Sequence, residues 1–345
     1  MKIVVLAGGL SPERDVSLSS GSLIANALIE TGHRVMLLDL YKGIDLPGDL
    51  DDLFTDVDSP HRYQYTVPAM EPDLTQLKAE ADMGDVLMGK NVLDLCRSAD
   101  LVFIALHGDI GENGKLQAVF DVYGIRYTGT GYAGSLLAMD KDLSKQIMKN
   151  HGIPTPEWML FHCETDDPAQ VEDQIGFPCI VKPCNGGSSI GVSIVADRAG
   201  FDLAIRAAQK YEGAVVVEKL IAGREFSVGI LDGTALSVIE IIPNEGFFDY
   251  INKYQAGRTQ EICPADLHSE VSARMQAVAV QVHEALRLKD YSRIDFMLDG
   301  ADNIFCLEAN TLPGMTPTSL LPQEALVSGI SYNELCNKIA EMALR

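Results

Sequence analysis

The stretch from Arg293 to Asn310 constrains the fold of this chain more than any other segment. Residues 293–298 and 304–310 are rich in Ile, Phe and Leu, which favour strands. The residues between them, 299–303, are mostly turn formers: two Asp, one Gly and one Asn. Two such runs around a short polar turn predict a β-hairpin.

The predicted hairpin would place particular polar side chains opposite one another, because side chains along a strand alternate between faces. With the turn centred on residues 301–302, Asp295 lies opposite Glu308 and Arg293 lies opposite Asn310. Two carboxylates directly across a strand pair repel each other unless a cation lies between them. Asp295, Glu308 and Asn310 offer hard oxygen donors, which suit Mg²⁺. The alternative is a hairpin whose polar residues simply face solvent.

The segment that follows the hairpin, residues 311–319, leaves the strand through Pro313 and Gly314. It carries few charges and many hydroxyl and backbone N–H donors. Such a segment can line an anion pocket beside the metal ligands.

Composition narrows the class of protein. The chain has 345 residues, which is enough for two or three domains, and its hydrophobic fraction of 47% is typical of a folded protein. A net charge of −22 argues against binding to nucleic acid or to anionic membranes. The opening apolar run is too short for a signal peptide, and no run approaches the roughly 20 residues of a membrane span. We therefore expect a cytoplasmic protein whose seven cysteines are reduced thiols.

The first hundred residues follow a strand–helix–strand order. Residues 3–7 form a buried-type strand, a helix follows whose start is marked by Ser11 or Ser17, and residues 35–40 form the next strand. This order predicts a parallel sheet, to which residues 101–106 add another strand. Residues 42–97 are irregular and rich in Asp, and we interpret them as an elaboration of the first domain.

Two loops in this region are candidates for ligand binding. Ligands of parallel sheets bind beyond the carboxyl ends of the strands, and the loops that contain Glu13 and His107 lie at such ends. A lone histidine is usually structural, but one in a glycine-rich loop at a strand end is a better candidate for binding. Gly8-Gly9 is not part of a G-x-G-x-x-G motif, so a dinucleotide site has little support.

A glycine- and serine-rich segment at 184–191 joins two predicted strands, 178–183 and 192–195. Its backbone N–H groups and hydroxyls could cover phosphate oxygens, and Lys182 precedes it directly. No Walker motif is present. The alternative is a flexible turn without a ligand.

Lys141 and Lys145 lie four residues apart, hence on one face of a predicted helix. Such a face usually lies in solvent. Farther along, residues 246–264 are aromatic and polar without a clean period, which is typical of a long active-site loop. Lys253 and Tyr254 are the candidate residues of this loop.

Taken together, these segments resemble D-alanine–D-alanine ligases of the ATP-grasp superfamily over nearly the whole chain. Nine motifs occur in the family's order, which is far more specific than any one of them. The motifs are GGLSPERDVSLSSG, ALHGDIGENG, YTGTG, AMDKDLSK, VKPCNGGSSIGVS, FFDYINKY, QEICPA, RIDFMLD and EANTLPGMTPTSL.

The resemblance implies an ATP-grasp fold of class α/β and α+β, with an N-terminal parallel α/β domain. It divides the chain into a substrate domain at 1–129, a central ATP-grasp subdomain at 130–217 and a C-terminal subdomain at 218–345. It also implies ATP as cosubstrate and two Mg²⁺ ions, with Mn²⁺ as a substitute, bound by Asp295, Glu308 and Asn310. A homodimer is common in the family.

Matching motif positions assign roles to individual residues. For the nucleotide, the resemblance assigns the phosphates to Lys141 and Lys182 and to the loop residues Ser188 and Ser189. It assigns adenine to the strand residues Glu218, Lys219, Leu220 and Ile221, and the ribose to Glu225. Lys253 and Glu308 would make further contacts with the nucleotide. For the amino acids, Glu13 would bind the ammonium group of the first D-alanine, in a hydrogen-bond network with Ser188 and Tyr254. Arg293 and the N–H of Gly314 would stabilise the reacting carboxylate oxygen. The remaining substrate contacts would come from His107, Lys253, Ser319 and Leu320.

The implied reaction joins two D-alanine molecules through an acyl phosphate, for peptidoglycan precursor synthesis. The Lys253-Tyr254 pair favours D-alanine as the second substrate over D-lactate. The alternatives are a D-alanine–D-lactate or D-alanine–D-serine ligase, another ATP-grasp carboxylate–amine ligase, or a non-catalytic binding protein. One departure is Gly186, where many members carry an acidic residue, and we expect an altered loop contact there.

Overall fold

In a computed structural model, the structure describes residues 1–46, 48–68, 70, 72–81, 83–84, 86–187, 191–209, 212–244 and 259–345. Three sheets organise these residues. Within the described ranges, no helix is both long enough and apolar enough to cross a membrane. All seven cysteines carry free thiols, as expected.

The first unit is built on a parallel three-stranded sheet of order β2-β1-β3, which confirms the predicted parallel sheet. Residues 3–6 of the central strand are fully buried, as an uninterrupted apolar run predicts. The elements in chain order are β1 (Lys2–Ala7), α1 (Arg14–Glu30), β2 (Arg34–Asp39), α2 (Leu74–Ala81), α3 (Val92–Ser98), β3 (Leu101–Ile104), α4 (Asp109–Glu112) and α5 (Lys115–Tyr123).

The two serines expected to cap α1 have other partners. The N-cap is Glu13, and the helix starts at Arg14. Ser11 Oγ donates to the carbonyl of His107 at 3.0 Å, and Ser17 Oγ donates to the carbonyl of Ala105 at 2.7 Å. Both serines therefore tie the start of α1 to the segment after β3, and the prediction of a serine cap was wrong.

The second unit is an antiparallel sheet of order β4-β7-β5-β6, with helices beside it. The glycine-rich segment joins β5 to β6, as predicted. The elements are α6 (Tyr132–Met139), α7 (Lys141–Asn150), β4 (Trp158–His162), α8 (Ala169–Gln174), β5 (Cys179–Pro183), β6 (Ser193–Val195), α9 (Arg198–Ala208) and β7 (Ala214–Lys219).

The third unit is an antiparallel sheet of order β11-β10-β8-β12-β13, with β9 paired to β8. Its elements are β8 (Gly223–Leu231), β9 (Thr234–Ala235), β10 (Ile239–Pro243), β11 (Thr259–Ile262), α10 (Ser269–Ala285), β12 (Tyr291–Asp299), β13 (Ile304–Asn310), α11 (Leu320–Val327) and α12 (Tyr332–Met342). The predicted loop at 246–264 is wrong at its end, because residues 259–262 pair with β10. Residues 245–258 lie outside the described part of the chain.

Helix α12 packs against α1 of the first unit. Leu335 and Ile339 are fully buried in one core with Ile24 and Leu28 of α1. Asn333 Nδ2 donates to Glu30 Oε2 at 2.7 Å at the edge of this contact. The predicted division at 129/130 and 217/218 follows the sheets closely, but β7 runs to residue 219 and α12 crosses the division. The three domains therefore stay a prediction.

Candidate active site

A cavity of about 420 Å³ lies between the second and third sheets, and we call it the nucleotide cavity. Strand ends from both sheets and the start of α7 line it. Nine residues that the sequence analysis assigned to ATP or metal are among its lining residues: Lys141, Lys182, Glu218, Lys219, Leu220, Ile221, Glu225, Asp295 and Glu308. The structure thus brings these residues together, whereas their individual roles stay predictions.

Glu218 lies between two lysines at the base of the nucleotide cavity. Lys182 Nζ donates to Glu218 Oε1 at 2.7 Å, and Lys145 Nζ lies 2.8 Å from Glu218 Oε2. Burial opposes ionisation of Glu218, but the two ammonium groups outweigh it and lower the pKa of this carboxyl. Burial lowers the pKa of Lys145, while the carboxylate of Glu218 opposes that shift. Lys145 is fully buried, so the expectation of a solvent-exposed lysine face on α7 was wrong.

Lys141 contacts the glycine-rich segment. Its Nζ donates to the carbonyl oxygen of Gly186 at 2.6 Å and lies 3.5 Å from Glu308 Oε2. Gly186 has a φ of +112°, where an L side chain is strained. This backbone conformation gives a physical reason for glycine at this position. The hydrogen bond from Lys141 to the carbonyl of Gly186 is the contact observed at this position of the glycine-rich segment.

The two predicted cross-strand pairs are confirmed: Asp295 is the Cα partner of Glu308, and Arg293 is the partner of Asn310. Nearer the turn the register shifts by one residue, between Asp295 and Phe296, so the pairing expected for a turn centred on residues 301–302 was wrong there. The Asp295 carboxylate accepts hydrogen bonds from Arg293 Nε at 2.9 Å and from Asn310 Nδ2 at 2.9 Å. Ser227 Oγ also donates to it, at 2.9 Å. These contacts fix the carboxylate at the border of the cavity.

The donor set at this hairpin fits a hard divalent cation, because two opposed carboxylates and a neighbouring amide all offer oxygen. In the residues that the structure describes, no group of three or more His, Cys, Asp or Glu side chains could hold a metal ion. A metal site here would therefore depend on Asn310 or on oxygens from the nucleotide and water, in addition to Asp295 and Glu308.

A second cavity, of about 540 Å³, lies between the first and third units, and we call it the amino-acid cavity. It brings together residues from six separate parts of the chain. The predicted residues among its lining are Glu13, His107, Arg293, Asn310, Gly314, Ser319 and Leu320. Local patterns had grouped Glu13 with His107 and Arg293 with Asn310, but only the family resemblance gave a reason to expect all of these residues in one place.

The walls of the amino-acid cavity are held by short polar contacts. Ser20 Oγ lies 3.4 Å from His107 Nε2, and the N–H of Gly108 donates to Glu112 Oε2 at 2.8 Å. On the opposite wall, the N–H of Thr316 donates to Ser319 Oγ at 3.1 Å. A Cβ atom at Gly314 would lie 2.9 Å from Ser319 Oγ, so glycine allows this close approach. The predicted anion-binding segment is therefore compact and rich in donors.

Several groups in the amino-acid cavity have pKa values that depart from their ordinary values. Burial lowers the pKa of His107, which favours the neutral imidazole, while Glu13 opposes this shift. Burial and the neighbouring Glu13 raise the pKa of Glu112 to about 8. Burial also raises the pKa of Glu261, whose carboxylate accepts a hydrogen bond from Gln323.

Four residues of the predicted site lie outside the described residues, and their roles stay predictions: Ser188, Ser189, Lys253 and Tyr254. Conversely, several residues that line the amino-acid cavity had no predicted role, among them Glu112, Glu261 and Val67. The ALHGDIGENG and QEICPA motifs contain Glu112 and Glu261, so these could have been singled out. Val67 lies in the irregular region and carries no local signal.

Comparisons with known proteins agree with this geometry. A family model described as D-ala D-ala ligase N-terminus matches residues 2–130, and one described as D-ala D-ala ligase C-terminus matches residues 147–341. The D-alanine–D-alanine ligase of Pediococcus pentosaceus is 43% identical over 343 residues, covering 98% of this chain and 96% of that protein. The corresponding ligase of Nitratidesulfovibrio vulgaris is 39% identical, covering 100% of this chain and 98% of that protein.

A solved structure shares the fold. The crystal structure of the D-alanine–D-alanine ligase from Bacillus anthracis complexed with ATP aligns with a TM-score of 0.77 at 30% identity. The alignment covers 100% of this chain and 97% of that one. Together with the parallel N-terminal sheet, this likeness confirms the predicted ATP-grasp fold. The chain belongs to the D-alanine–D-alanine ligase family.

Proposed function

We propose that the protein joins two D-alanine molecules into D-alanyl-D-alanine, with ATP converted to ADP and phosphate. One observation carries the proposal: both cavities meet at the β12–β13 hairpin. Asp295 and Glu308 line the nucleotide cavity, whereas Arg293 and Asn310 line the amino-acid cavity. A phosphoryl donor in the first cavity would therefore lie next to an acceptor in the second.

The first step is transfer of the γ-phosphoryl group to the carboxylate of one D-alanine, which gives an acyl phosphate. The protein's task in such a transfer is to position the groups and to neutralise charge. Lys141 and Lys182 contribute positive charge from the nucleotide cavity. Two Mg²⁺ ions, or Mn²⁺ in their place, would be held by Asp295, Glu308 and Asn310, and when bound they would offset the charge of the phosphate oxygens.

The second step is attack of the other D-alanine's amine on the acyl carbon, with departure of phosphate. The amine must lose a proton and the carbonyl oxygen gains negative charge. Arg293 and Gly314 line the amino-acid cavity, and the guanidinium of Arg293 and the N–H of Gly314 would stabilise that oxygen. Glu13 would bind the first ammonium, in a network with Ser188 and Tyr254.

The remaining assignments follow from the family motifs and are part of this proposal. Glu218, Lys219, Leu220 and Ile221 would hold adenine, and Glu225 would hold the ribose. Ser189 and Lys253 would contact phosphate, while His107, Ser319 and Leu320 would contact the amino acids. Closure of the glycine-rich segment would exclude water, which otherwise hydrolyses the acyl phosphate.

The direct test is coupled ADP release with D-alanine and Mg²⁺, followed by mass analysis of the product. We expect D-alanyl-D-alanine. A product formed only when D-lactate or D-serine is added would indicate an ester-forming or D-serine ligase. Absence of ATP turnover with D-amino acids would favour a non-catalytic binding protein and contradict the proposal.

We further propose a cytoplasmic homodimer that contributes to peptidoglycan precursor synthesis. Apolar residues exposed on α5 and α6 support a protein partner: Val122 is 83% exposed, Tyr132 54% and Leu136 50%. If a second copy covers this face, light scattering of the wild type gives twice the chain mass. Val122→Glu should then give monomers; a wild-type monomer contradicts the proposal.

A further inference from the structure

Lys145 is a fully buried cation that the proposed reaction does not use. Lys145 does not line the nucleotide cavity, but it contacts Glu218, which does. Its Nζ donates to Thr155 Oγ1 at 2.6 Å and lies 2.8 Å from Glu218 Oε2. The other oxygen of Glu218 accepts from Lys182, which does line the cavity. Lys145, Glu218 and Lys182 thus form a chain of three ionisable groups that ends at the nucleotide cavity.

The balance of these charges depends on Lys145. With both lysines protonated and Glu218 ionised, the buried set carries one net positive charge. Without Lys145, the carboxylate would have Lys182 as its remaining partner in this set, and the pair would be neutral. An ammonium neutralised in this way attracts phosphate less strongly, particularly where water is excluded. Lys145 therefore controls how much positive charge Lys182 presents to a ligand.

We propose that Lys145 is a positioning residue for nucleotide binding: it holds one oxygen of Glu218, and so lets Lys182 remain cationic toward the nucleotide phosphates. The inference rests on the proposed ATP-dependent function. Helix α7 would thus supply one lysine directly, Lys141, and a second through Glu218. A purely structural role is the weaker explanation, because buried ion pairs seldom stabilise a fold more than apolar residues of similar size.

The chain offers a matched control on the same helix. Lys149 lies one turn beyond Lys145 and is exposed. Both Nζ atoms lie 5.6 Å from the centre of the Trp158 ring. Lys149 thus shares the charge, the helix and the aromatic neighbour of Lys145, and in the described residues no ion pair joins it to Glu218.

The experiment compares Lys145→Met with Lys149→Met by calorimetric titration with Mg²⁺·ADP, without D-alanine, after checking that both unfold cooperatively. We expect Lys145→Met to weaken ADP binding by about tenfold to a hundredfold, as for loss of a charged hydrogen bond. KM for ATP should rise accordingly, with a smaller change in kcat. Lys149→Met should stay within about twofold of wild type. Folded Lys145→Met protein that binds ADP like wild type would overturn the proposal.

A double-mutant cycle separates charge balance from a packing effect. In a Glu218→Gln background the carboxylate that competes for Lys182 is absent, so Lys145→Met should cost far less ADP affinity than in the wild type. The double variant also leaves no unpaired buried carboxylate, so it provides a folded comparison if Lys145→Met alone unfolds. An equal loss of affinity in both backgrounds contradicts the inference.

The outcomes also separate this inference from the proposed function. Wild-type protein that binds ADP but makes no D-alanyl-D-alanine would refute the function and leave the Lys145 result valid. Dipeptide formation by a Lys145→Met variant with unchanged ADP affinity would refute only the inference.

Discussion

The two cavities beside the β12–β13 hairpin differ in how their charges are balanced. In the nucleotide cavity, Lys182 and Lys141 each lie close to a carboxylate of the protein, at 2.7 Å and 3.5 Å. In the amino-acid cavity, the carboxyl groups outnumber the cations: among the lining residues that the structure describes, Arg293 is the one permanently charged cation. The carboxyl groups belong to Glu13, Glu112 and Glu261.

This difference matches the charge of the proposed ligands. A nucleotide brings negative phosphates together with metal ions, so its cavity contains both signs in pairs. An amino acid brings an ammonium group into a site with one lining cation among the residues described, Arg293, and with Glu13 as the carboxyl group proposed to bind that ammonium. Each cavity is therefore complementary to one ligand, and substitutions should affect the two ligands separately. The following predictions test that separation in order of decreasing effect.

The largest effect is expected from Glu308→Ala, which removes a metal-binding candidate from the nucleotide cavity. Metal ions stabilise phosphoryl transfer by several kcal/mol, so kcat should fall on the order of 10³-fold or more. Steady-state ADP release measures the change, and Asp302→Asn in the exposed turn of the same hairpin serves as the control. A folded Glu308→Ala protein with the wild-type rate would refute the metal role.

A smaller effect, confined to the other cavity, is expected from Glu13→Gln. A hydrogen bond to a charged group contributes about 1.5–3 kcal/mol, so KM for D-alanine should rise roughly tenfold to a hundredfold. The affinity for ADP should stay near that of wild type, as calorimetry can show. A Glu13→Gln variant with a lower affinity for ADP and an unchanged KM for D-alanine would contradict the separation of the two cavities.

Tyr65→Phe tests whether the irregular region shapes the amino-acid cavity. The hydroxyl of Tyr65 donates to Asp15 Oδ1 on α1, and Val67, two residues on, lines the cavity. Loss of this bond should cost about 1 kcal/mol, or roughly fivefold in KM for D-alanine. Tyr123→Phe, at an exposed position, is the control. Equal KM values in both variants would show that this segment does not influence the cavity.

A separate prediction concerns stability, not kinetics: the stability of the fold should depend on pH through Glu112. Its pKa is raised from 4.5 to about 8 in the folded protein by burial and by Glu13. The folded state therefore keeps a proton that the unfolded state releases, and the resulting stability is present below pH 4.5 and lost as pH rises through about 8. As pH rises from 4.5 to about 8, the Tm of the wild type should fall more steeply than the Tm of Glu112→Gln. Parallel curves would argue against a protonated Glu112.

Local patterns predicted much of the fold. Alternation along two strands around a five-residue turn predicted the Asp295–Glu308 pairing. Ser331 and Glu334, three residues apart, have the pattern of a capping box, which predicts a helix start there, and that capping box is present at the start of α12. These features depend on residues close together in the sequence or directly paired in a hairpin. Strand ends grouped Glu13 with His107, and the hairpin grouped Arg293 with Asn310. Only the family motifs joined these groups to one another, since segments distant in sequence contribute them.

The errors have a common physical cause. Lys145 shows the same helical spacing as an exposed lysine, and only its distant partner Glu218 makes its burial tolerable. Ser11 and Ser17 have the residue type of helix caps, but carbonyl groups after β3 accept their hydroxyls. In each case a long-range partner decides between two local options, and a single sequence does not identify that partner.

The position of α12 has a consequence for the order in which the protein acquires its structure. Residues 1–130 leave the ribosome first, yet the surface of α1 that meets Leu335 and Ile339 has no cover until residues 332–342 have been synthesised. Each buried aliphatic side chain of this contact is worth about 2 kcal/mol. Nascent chains should therefore stay susceptible to proteases or attract chaperones at α1 until translation reaches α12, and the first domain completes its core last.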